Sequence, residues 1–572
     1  MPALSTNQRP WLYFLLFLAV AVNFSGLFVT LLGADGPLYA SIARTMVEKG
    51  NYLELFSHGE DWLDKPHFPF WVTAVFFEIF GFTTWAYKLP AILFLLLGVV
   101  YTYLLARKLY DEKTAYWAAI ILLTAQHIII SNTDVRAEPY LTGLIIGSIY
   151  HFYRAYTEKK NHQLVLGALL AGCAIMTKGP FAIIPIAGAI AGELILKKTW
   201  KQLLHPRWLL AAVLVLLFIT PELYCLWYQF DRHPEKIVFG RTNVSGLQFF
   251  FWDSQFGRFF NTGPIKGKGD PSFFLHTLIW AFLPWSFALY IAVVSVWKKN
   301  WKHPSRYREW LSFSGAFLTL LIFSLSKFQL PHYSNIVFPL LAIFLSGYLQ
   351  QIRLPKEWKT IRLTQTVVIV ILLIAPLLLH YFFQPATLSW PTWTILLLLL
   401  CLLLFLPMAG PFSGRTVLFY RTAIAAVMVN IYLNSVAYPS IMQYQAGSEA
   451  AFYSNQHFPE TPVVQLRKDY SYALTFYLNS PVVTIDSLEQ LNTLPYSSYL
   501  FYAQKNEAEK ISEERSVPVK KEFDYFPVSM LNGKFINHRT RKQELGQFSL
   551  VLMDGEGNHG RWTADRRRGL KH

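Results

Sequence analysis

Charged residues are scarce in this sequence: Asp, Glu, Lys and Arg make up only 15% of its 572 residues, against about 25% in an ordinary soluble domain. This scarcity excludes a disordered chain, a coiled coil and a typical cytosolic enzyme. Hydrophobic residues make up 53% of the chain and aromatic residues 17%. Such a composition is typical of a polytopic α-helical membrane protein.

Cysteine is also scarce, and its placement excludes two further kinds of protein. Cys173, Cys225 and Cys401 each lie within an apolar run, far from one another. The sequence therefore predicts neither a disulfide framework nor a cysteine metal site. Basic residues outnumber acidic ones and give a formal net charge of +16. In a membrane protein this surplus serves to orient the chain rather than to bind nucleic acid.

Long apolar runs fill most of the first 436 residues, and each is about long enough to span a bilayer. The first run exceeds 20 residues and lacks the short core and cleavage site of a signal peptide, so we expect a retained transmembrane helix. Around Lys178-Gly179-Pro180 the sequence predicts either two spans or one broken span. About thirteen spans are predicted, at about 10–33, 90–109, 114–132, 138–156, 163–177, 180–196, 207–228, 273–297, 309–326, 333–350, 363–383, 389–408 and 416–436.

Lys and Arg collect in alternate loops between these runs, as the positive-inside rule requires of cytoplasmic loops. One such loop carries a cluster of five, namely Lys298, Lys299, Lys302, Arg306 and Arg308. With the amino terminus in the cytoplasm, an odd number of spans puts the carboxyl-terminal region outside. We therefore expect a multi-pass membrane protein whose long loops, 34–89 and 229–272, are extracytoplasmic.

The composition changes at about residue 437. Three segments beyond it, at 462–466, 499–502 and 548–552, have the apolar, β-branched and aromatic content of strands, and charged helix-like stretches lie between them. The sequence predicts a transmembrane domain at 1–436 and a small extracytoplasmic α/β domain at 437–572.

Ionisable side chains collect at the predicted outer surface of the membrane. Such groups are costly at membrane depth, so they usually pair and mark a functional cavity. Carboxylates and cations occur together there, which suits an anionic, partly lipidic substrate and a reaction that needs a base. The candidate residues are Asp35, Arg44, His58, Glu60, Asp64, Lys65, His67, Asp134, Arg136, Glu138, Lys178, Glu222, Arg241, Arg258, Lys327, His332 and Tyr333.

Spacing alone leaves a structural alternative open for the residues of the first loop. Asp35 precedes the amphipathic segment Leu38–Lys49, and it either caps that helix or acts as a general base. Lys65 is held in extended backbone by Pro66. It either snorkels along the membrane surface or binds a phosphate.

The later turns leave similar alternatives. Asp134, Arg136 and Glu138 lie in one very short turn, where they either cap a helix and pair with one another or face a common site. Lys178 and Lys327 lie beside breaks in apolar runs. Each belongs either to a plain polar turn or to a cavity that provides an anionic partner.

Many of these residues stand in short motifs that follow one another over about residues 10–350. The motifs are Asp35…Tyr39-Ala40-Ser41-Ile42-Ala43-Arg44 with Gly50, Asp64-Lys65-Pro66, Phe70-Trp71, Phe80-Gly81…Lys88-Leu89-Pro90, Asp134-Val135-Arg136-Ala137-Glu138, Thr177-Lys178-Gly179-Pro180 and Ser326-Lys327…Leu330-Pro331-His332-Tyr333. By this ordered set the sequence resembles bacterial polyprenyl-phosphate-dependent glycosyltransferases of the C-type membrane superfamily, the branch with protein O-mannosyltransferases and the lipid A aminoarabinose transferase. It differs from the family pattern at Gly36, His67 and Glu138, where the family usually has Glu, Pro and Asp.

The resemblance implies an enzyme that moves a sugar from a polyprenyl-phosphate carrier to lipid A, a glycan or a protein. The acceptor attacks the anomeric carbon and the phosphate leaves, so positive charge is needed where negative charge develops. The cations implied to bind the phosphate are Lys65, Lys178, Arg258 and Lys327, with support from Arg44 and Tyr333.

The same resemblance makes Asp35 the general base and Glu138 a second acid that binds sugar hydroxyls or orients the acceptor. Further contacts to the acceptor or sugar are expected from Asp134, Arg136, His67, His332 and Glu222. The chemistry requires no nucleotide or redox cofactor, and no metal ligand is assigned. A divalent metal held by acidic loop residues with His67 or His58 is an alternative.

The main competing function is a polytopic transporter or flippase of a lipid-linked or anionic solute. Transporters often have internal repeats and polar residues near the bilayer midplane. No repeat is evident here, and the charges collect at one face, which favours an interfacial enzyme. A receptor or assembly factor that uses the carboxyl-terminal domain is a third possibility, and no nucleic-acid partner is expected.

Overall fold

The computed structural model describes residues 9–300, 302–385, 390–406 and 412–554. The end of the predicted carboxyl-terminal domain, residues 555–572, lies outside the described residues, as do the outermost residues of the predicted span 389–408. The chain divides into two compact units. We call residues 1–29, 42–380 and 387–437 the helical unit, and residues 30–41, 381–386 and 438–572 the sheet unit.

The helical unit consists of α-helices with short connections and one two-stranded hairpin, β1 (Phe56–Ser57) with β2 (Glu60–Asp61). Its helices, the second of which begins in the sheet unit, are α1 (Arg9–Phe24), α2 (Asp35–Lys49), α3 (Phe68–Phe80), α4 (Thr84–Leu109), α5 (Glu112–Thr124), α6 (Gln126–Thr133), α7 (Glu138–Glu158), α8 (Asn161–Lys178), α9 (Ile183–Leu196), α10 (Arg207–Phe218), α11 (Thr220–Leu226), α12 (Gly246–Gln248), α13 (Arg258–Phe260), α14 (Phe273–Ala281), α15 (Ser286–Asn300), α16 (Leu311–Leu325), α17 (Phe338–Gln351), α18 (Pro355–Phe383), α19 (Trp390–Phe405) and α20 (Gly414–Tyr432).

Several of these helices are apolar, and each of the thirteen predicted runs contains α-helix. Among the described residues, four helical segments are long and apolar enough to cross a membrane, or six if each of two bent pairs counts as one span. Large apolar side chains also face outward, for example Leu209 at 72% and Trp390 at 80% exposure. Such an outer surface fits lipid rather than water as the surrounding medium, and the helical unit has the make-up of a multi-pass membrane protein.

The first apolar run corrects one expectation. A continuous helix was predicted over 10–33, but α1 ends at Phe24 and the chain continues in turns. Two features stabilise this early end. The ammonium of the fully buried Lys88 donates hydrogen bonds to the carbonyl oxygens of Gly26, at 3.0 Å, and Val29, at 2.6 Å. A Cβ at Gly26 would lie 2.2 Å from Oγ1 of Thr133, so the chain passes too close to α6 for any larger residue.

The sheet unit contains a five-stranded mixed sheet in the order β4-β3-β5-β7-β6. Strands β3 and β4 and strands β3 and β5 pair in parallel, whereas β5 with β7 and β6 with β7 pair antiparallel. The structure has strands at the three positions predicted from sequence. The elements are α21 (Tyr438–Met442), α22 (Ala446–His457), β3 (Val463–Leu466), α23 (Tyr472–Tyr477), β4 (Val482–Ile485), β5 (Ser498–Gln504), α24 (Lys505–Arg515), β6 (Val519–Tyr525), α25 (Gly533–Ile536) and β7 (Gly546–Asp554).

The two faces of this sheet bury different helices because successive strand residues point to opposite sides. On one face, Leu500 and Tyr502 of β5 pack with Ala450 of α22 and Leu474 of α23. On the other face, residues of β5 and β7 pack with Ala508 and Ile511 of α24. The sheet is therefore covered by helices on both sides.

A segment from the start of the chain completes the sheet unit. The backbone N–H of Gly33 donates to Oε1 of Gln445 at 3.0 Å, and Nε2 of Gln445 donates to the carbonyl of Leu31 at 3.0 Å. The N–H of Leu31 donates to the hydroxyl of Tyr477 at 2.9 Å. These bonds fix the residues that lead into α2, so Asp35, which begins that helix, belongs to the sheet unit.

Candidate active site

The helical unit contains a cavity of about 100 Å³ whose wall is mostly apolar but carries several charges. Its lining residues are Leu63, Asp64, Lys65, Pro66, Leu141, Lys178, Phe181, Ala182, Glu222, Leu226, Phe249, Phe250, Ser254, Gln255, Arg258, Phe259, Phe323, Ser326, Phe328, Tyr333 and Ile336. Four of the six residues that the sequence assigned to phosphate binding are among them.

Those four residues come from four separate parts of the chain. Lys65 lies in the loop before α3, and Lys178 is the last residue of α8. Arg258 follows a π-helix at Phe249–Gly257, and Tyr333 lies in the 3₁₀-helix Pro331–Val337. Each of the four lies at or beside a helix end or an irregular helical turn. Polar side chains are placed there rather than within the apolar part of a span.

The carboxylate of Asp64 joins two of the cations. It forms ion pairs with the ammonium of Lys65 and with the guanidinium of Arg258. Burial acts to raise the pKa of Asp64, but the positive charges of Lys65 and Arg258 outweigh it and hold the pKa below its ordinary value. Asp64 therefore stays ionised at neutral pH and keeps both cations close together at the cavity.

The third cation has its own carboxylate partner. Lys178 forms an ion pair with Glu138, the first residue of α7, whose side chain is 1% exposed. His332 Nε2 lies 3.7 Å from the same carboxylate. The ammonium of Lys178 also lies 3.8 Å from the ring centre of Tyr333, a cation–π contact. Glu138, His332 and Tyr333 thus fix the position of Lys178.

The interruption between helices α8 and α9, beside Lys178, depends on glycine. Gly179 has φ +101° and ψ 178°, a conformation that is essentially restricted to glycine. A Cβ at this position would lie 2.2 Å from Nε2 of Gln255. Gln255 in turn donates to the carbonyl of Lys178 at 3.3 Å and accepts from the N–H of Phe181 at 3.3 Å. The side chain of Gln255 therefore replaces the helical hydrogen bonds that are lost at the break.

Gly179→Ala is expected to destabilise the protein by about 2–4 kcal/mol, because the strained φ and the overlap with Gln255 both oppose a Cβ. Gly81→Ala is the matched control. Gly81 also follows a helix, with φ 77° and ψ 174°, but a Cβ added there would have no atom within 4 Å. We expect the drop in thermal unfolding midpoint to be clearly larger for Gly179→Ala. Equal drops would show that the overlap with Gln255 is of no consequence.

Glu222 and His67 form a buried pair beside the cavity. Nδ1 of His67 lies 3.1 Å from Oε1 of Glu222, and the N–H of His67 donates to Oε2 of the same carboxylate at 3.0 Å. Both side chains are at most 1% exposed. Both were expected to contact the acceptor or the sugar. In the structure they connect α11 to the backbone two residues after Lys65, so they position that lysine.

The other predicted residues lie elsewhere. Lys327 is exposed and is not among the side chains that line the cavity, although its N–H donates to the carbonyl of Phe259 at 2.9 Å. Arg44 pairs with Glu48 one helical turn away. Asp134 and Arg136 form an ion pair with each other at 3.1 Å.

A divalent metal held by acidic loop residues with His67 or His58 was the alternative to a metal-free site. Within 9–300, 302–385, 390–406 and 412–554, no three His, Cys, Asp or Glu side chains form a group that could hold a metal ion. The assignment of Asp35 as a base involves the sheet unit and remains a prediction.

Two polar residues at the cavity have contacts that the sequence analysis did not assign. Asp64 was among the candidate residues and part of a recognised motif, and its position next to Lys65 in the chain could have indicated that it pairs with a cation. Gln255 had no such signal, because its role depends on a contact between residues 77 positions apart.

Three cations, Lys65, Lys178 and Arg258, line the cavity, and Asp64 and Glu138 pair with them. A third carboxylate, Glu222, also lines the cavity and accepts a hydrogen bond from the N–H of His67. In addition, Nε of Arg258 is buried and has no hydrogen-bond partner among the described residues. A mostly apolar wall with three clustered cations and an unpartnered guanidinium N–H suits an amphiphile that has a hydrocarbon part and an anionic group.

The sequence is similar to that of several known proteins. Residues 64–225 match the family of dolichyl-phosphate-mannose-protein mannosyltransferases. The chain is 28% identical over 414 residues to an uncharacterised protein of Aquifex aeolicus, covering 71% of this chain and 74% of that one. It is 27% identical over 322 residues to undecaprenyl phosphate-α-4-amino-4-deoxy-L-arabinose arabinosyl transferase 2 of Proteus mirabilis, covering 55% of this chain and 54% of the relative. This chain thus spans about half the length of the arabinosyl transferases that it matches.

The fold is also similar to a solved structure. ArnT from Cupriavidus metallidurans, in a crystal structure with bound undecaprenyl phosphate, superposes with a TM-score of 0.71 at 19% sequence identity. The match covers 95% of this chain and 98% of that one. At this level of identity the comparison shows a shared fold.

Proposed function

We propose that this chain, a member of the C-type superfamily of polyprenyl-phosphate-dependent membrane glycosyltransferases, moves a sugar from a polyprenyl-phosphate carrier to an acceptor outside the cytoplasm. The observation that carries this proposal is the cavity of the helical unit, which combines a mostly apolar wall with three clustered cations, Lys65, Lys178 and Arg258. A polyprenyl chain and its phosphate are an amphiphile of the matching kind. The named relatives are arabinosyl transferases, and the ArnT structure of the same fold holds undecaprenyl phosphate.

In the proposed reaction, an oxygen of the acceptor attacks the anomeric carbon of the sugar. The bond between that carbon and the phosphate oxygen breaks, and its electron pair leaves with the phosphate. The leaving phosphate is a weak base, so no acid has to protonate it. Lys65, Lys178 and Arg258 stabilise the charge that develops on it, and charges already held in position cost no reorganisation as the bond breaks.

If the acceptor oxygen belongs to a hydroxyl group, its proton has to be accepted by a base. We propose the carboxylate of Asp35 for this role, as the sequence motif implies. A phosphate acceptor would already be ionised and would need little base. The acceptor classes that fit the proposal are lipid A, a glycan and a protein.

We also propose that about thirteen helices cross the bacterial inner membrane and that the cavity and the sheet unit face the extracytoplasmic side. The distribution of Lys and Arg among the loops supports this orientation. The apolar runs that contain helix support the number of crossings.

The test is native mass spectrometry of the purified protein with added undecaprenyl phosphate. We expect a bound lipid in the wild type and at least tenfold weaker binding in Lys65→Ala. Lys236→Ala is the matched control, since this lysine of the second long loop is also held in ion pairs, with Glu54 and Asp61, but does not line the cavity. We expect it to bind like the wild type.

Two outcomes would contradict the proposal. Absence of lipid binding under several mild detergents, with another anionic solute bound instead, would favour a transporter. Equal loss of binding in Lys65→Ala and Lys236→Ala would mean that the cavity does not hold the phosphate.

A further inference from the structure

The sheet unit contains a second, larger cleft of about 470 Å³ that the proposed reaction does not use. All of its lining residues belong to the sheet unit. Its wall differs from that of the helical-unit cavity, because six of its side chains are aromatic and most of the others are small or polar. The aromatic residues are Tyr470, Tyr472, Tyr502, Tyr525, Phe526 and Phe548.

The topology of the sheet explains why a cleft forms here. Strands β3 and β5 are parallel neighbours, so their carboxyl ends lie at the same edge. From β3 the chain moves to β4 on one side, and it then returns to β5 on the other side. Between two such strands the connections diverge and leave a crevice, which is where open α/β sheets commonly bind ligands. Residues 468–473 follow β3 and Gln504 ends β5, and all of them line the cleft.

The aromatic rings form flat surfaces around this crevice. Tyr502 and Phe548 are stacked on neighbouring strands, with ring centres 5.0 Å apart, and Tyr525 meets Phe548 edge-on at 5.3 Å. Tyr470 and Tyr472, which follow β3, meet edge-on at 4.9 Å. Aromatic faces bind the C–H faces of sugar rings, which are apolar although the ring edges carry hydroxyl groups.

The polar groups of the cleft suit a neutral ligand with hydroxyl groups better than an anion. Oδ1 of Asp469 accepts from Nε2 of Gln504 at 2.6 Å. Burial and the nearby carboxylate of Glu507 raise the pKa of Asp469. The uncharged hydroxyl and amide groups of Ser471, Gln504 and Gln547 also line the cleft, and such groups hydrogen-bond to hydroxyls. The neighbouring Lys468 is paired with Glu507, so this lysine is not free to attract a phosphate.

One wall of the cleft leads directly to the proposed base. Gly33 and Ala34 line the cleft and immediately precede Asp35 in the chain. Gln445, another lining residue, holds this segment through its two hydrogen bonds to Gly33 and Leu31. A ligand in the cleft therefore contacts the backbone next to Asp35.

We propose that this cleft binds a neutral carbohydrate ring and that, given the proposed function, the ring is the sugar part of the acceptor. Tyr472 and Tyr525 stack on its faces, and Gln504 hydrogen-bonds its hydroxyl groups. The aromatic cleft of the sheet unit then selects the acceptor, while the cationic cavity of the helical unit holds the donor.

The test is saturation-transfer-difference NMR on the full chain in lipid nanodiscs, which avoid sugar-based detergents. The probes are methyl α-D-mannopyranoside, methyl β-D-glucopyranoside and N,N′-diacetylchitobiose. We expect transfer to the ring protons of at least one probe, a decrease of at least fivefold in Tyr472→Ala, and retention in Tyr472→Phe, which keeps the ring. Tyr525→Ala, at a residue that is 38% exposed, is a second variant in case Tyr472→Ala does not fold.

The results distinguish failure of the carbohydrate assignment from failure of the proposed function. Lys65→Ala is expected to lose the donor lipid and to keep the carbohydrate signal. Lack of transfer to all three probes, transfer that neither alanine variant reduces, or displacement of the probe by inorganic phosphate would overturn the carbohydrate assignment. None of these results would affect donor binding measured by mass spectrometry.

Discussion

Arg258→Ala is expected to lower kcat/KM for the lipid-phosphate donor by about 10²–10³-fold, the usual effect of removing one preorganised charge from a site where an anion develops. Arg258 lines the cavity, pairs with Asp64 and has a buried Nε without a partner among the described residues. Its planar group can bind two phosphate oxygens at once. We therefore expect Arg258→Lys to restore only part of the activity. Turnover of the purified variants with undecaprenyl-phosphate sugar measures the effect.

The control for this prediction is Arg241→Ala. Arg241 lies in the same long loop but is exposed and does not line the cavity. Its loss removes the same formal charge, so a general electrostatic effect on the donor would appear in both variants. If Arg258→Ala keeps kcat/KM within threefold of the wild type, Arg258 does not contact the phosphate.

Asp35→Asn is expected to reduce turnover with a hydroxyl acceptor by about 10²–10⁴-fold, the usual contribution of general-base catalysis. Asparagine begins a helix about as well as aspartate, so the start of α2 is preserved and the change removes mainly the base. With an acceptor whose nucleophile is a phosphate, we expect substantial turnover, because that oxygen is already ionised. Measuring both acceptor types on the same preparation therefore also identifies the acceptor class.

Two further measurements make this result specific. Native mass spectrometry is expected to find undecaprenyl phosphate bound to Asp35→Asn as in the wild type, since the residue belongs to the sheet unit and the phosphate cavity to the helical unit. The thermal unfolding midpoint is expected to change little. Wild-type turnover with a hydroxyl acceptor would rule out Asp35 as the base.

The sequence was most informative where a break in an apolar run has a chemical cause that can be read directly. Lys178, Gly179 and Pro180 placed a polar interruption between α8 and α9, and the structure has it there. The motif with Lys65 likewise indicated a residue at the charged cavity. In both cases the local sequence alone makes continuation of an apolar helix costly.

The sequence was least informative where distant contacts decide the structure. Hydropathy extended the first helix to residue 33, because nothing near Phe24 indicates that Lys88 binds the carbonyls beyond it. The sequence did not indicate that the side chain of Lys327 is exposed and outside the cavity lining. It also did not indicate that Glu222, which lines the cavity, pairs with His67. The ligand contacts assigned to these three residues remain predictions. Periodicity and composition do not encode such pairings.

The hydrogen bonds of Leu31 and Gly33 have a consequence for the timing of biosynthesis. Their partners, Tyr477 and Gln445, are 446 and 412 residues further along the chain. At a synthesis rate of about 5–20 residues per second, these two partners are synthesised roughly 20–90 s after the segment that carries Asp35. Nearly the whole helical unit is made during this interval. The proposed base is thus among the first of the candidate groups to be synthesised, and synthesis of most of the helical unit precedes the hydrogen bonds that fix the segment next to it.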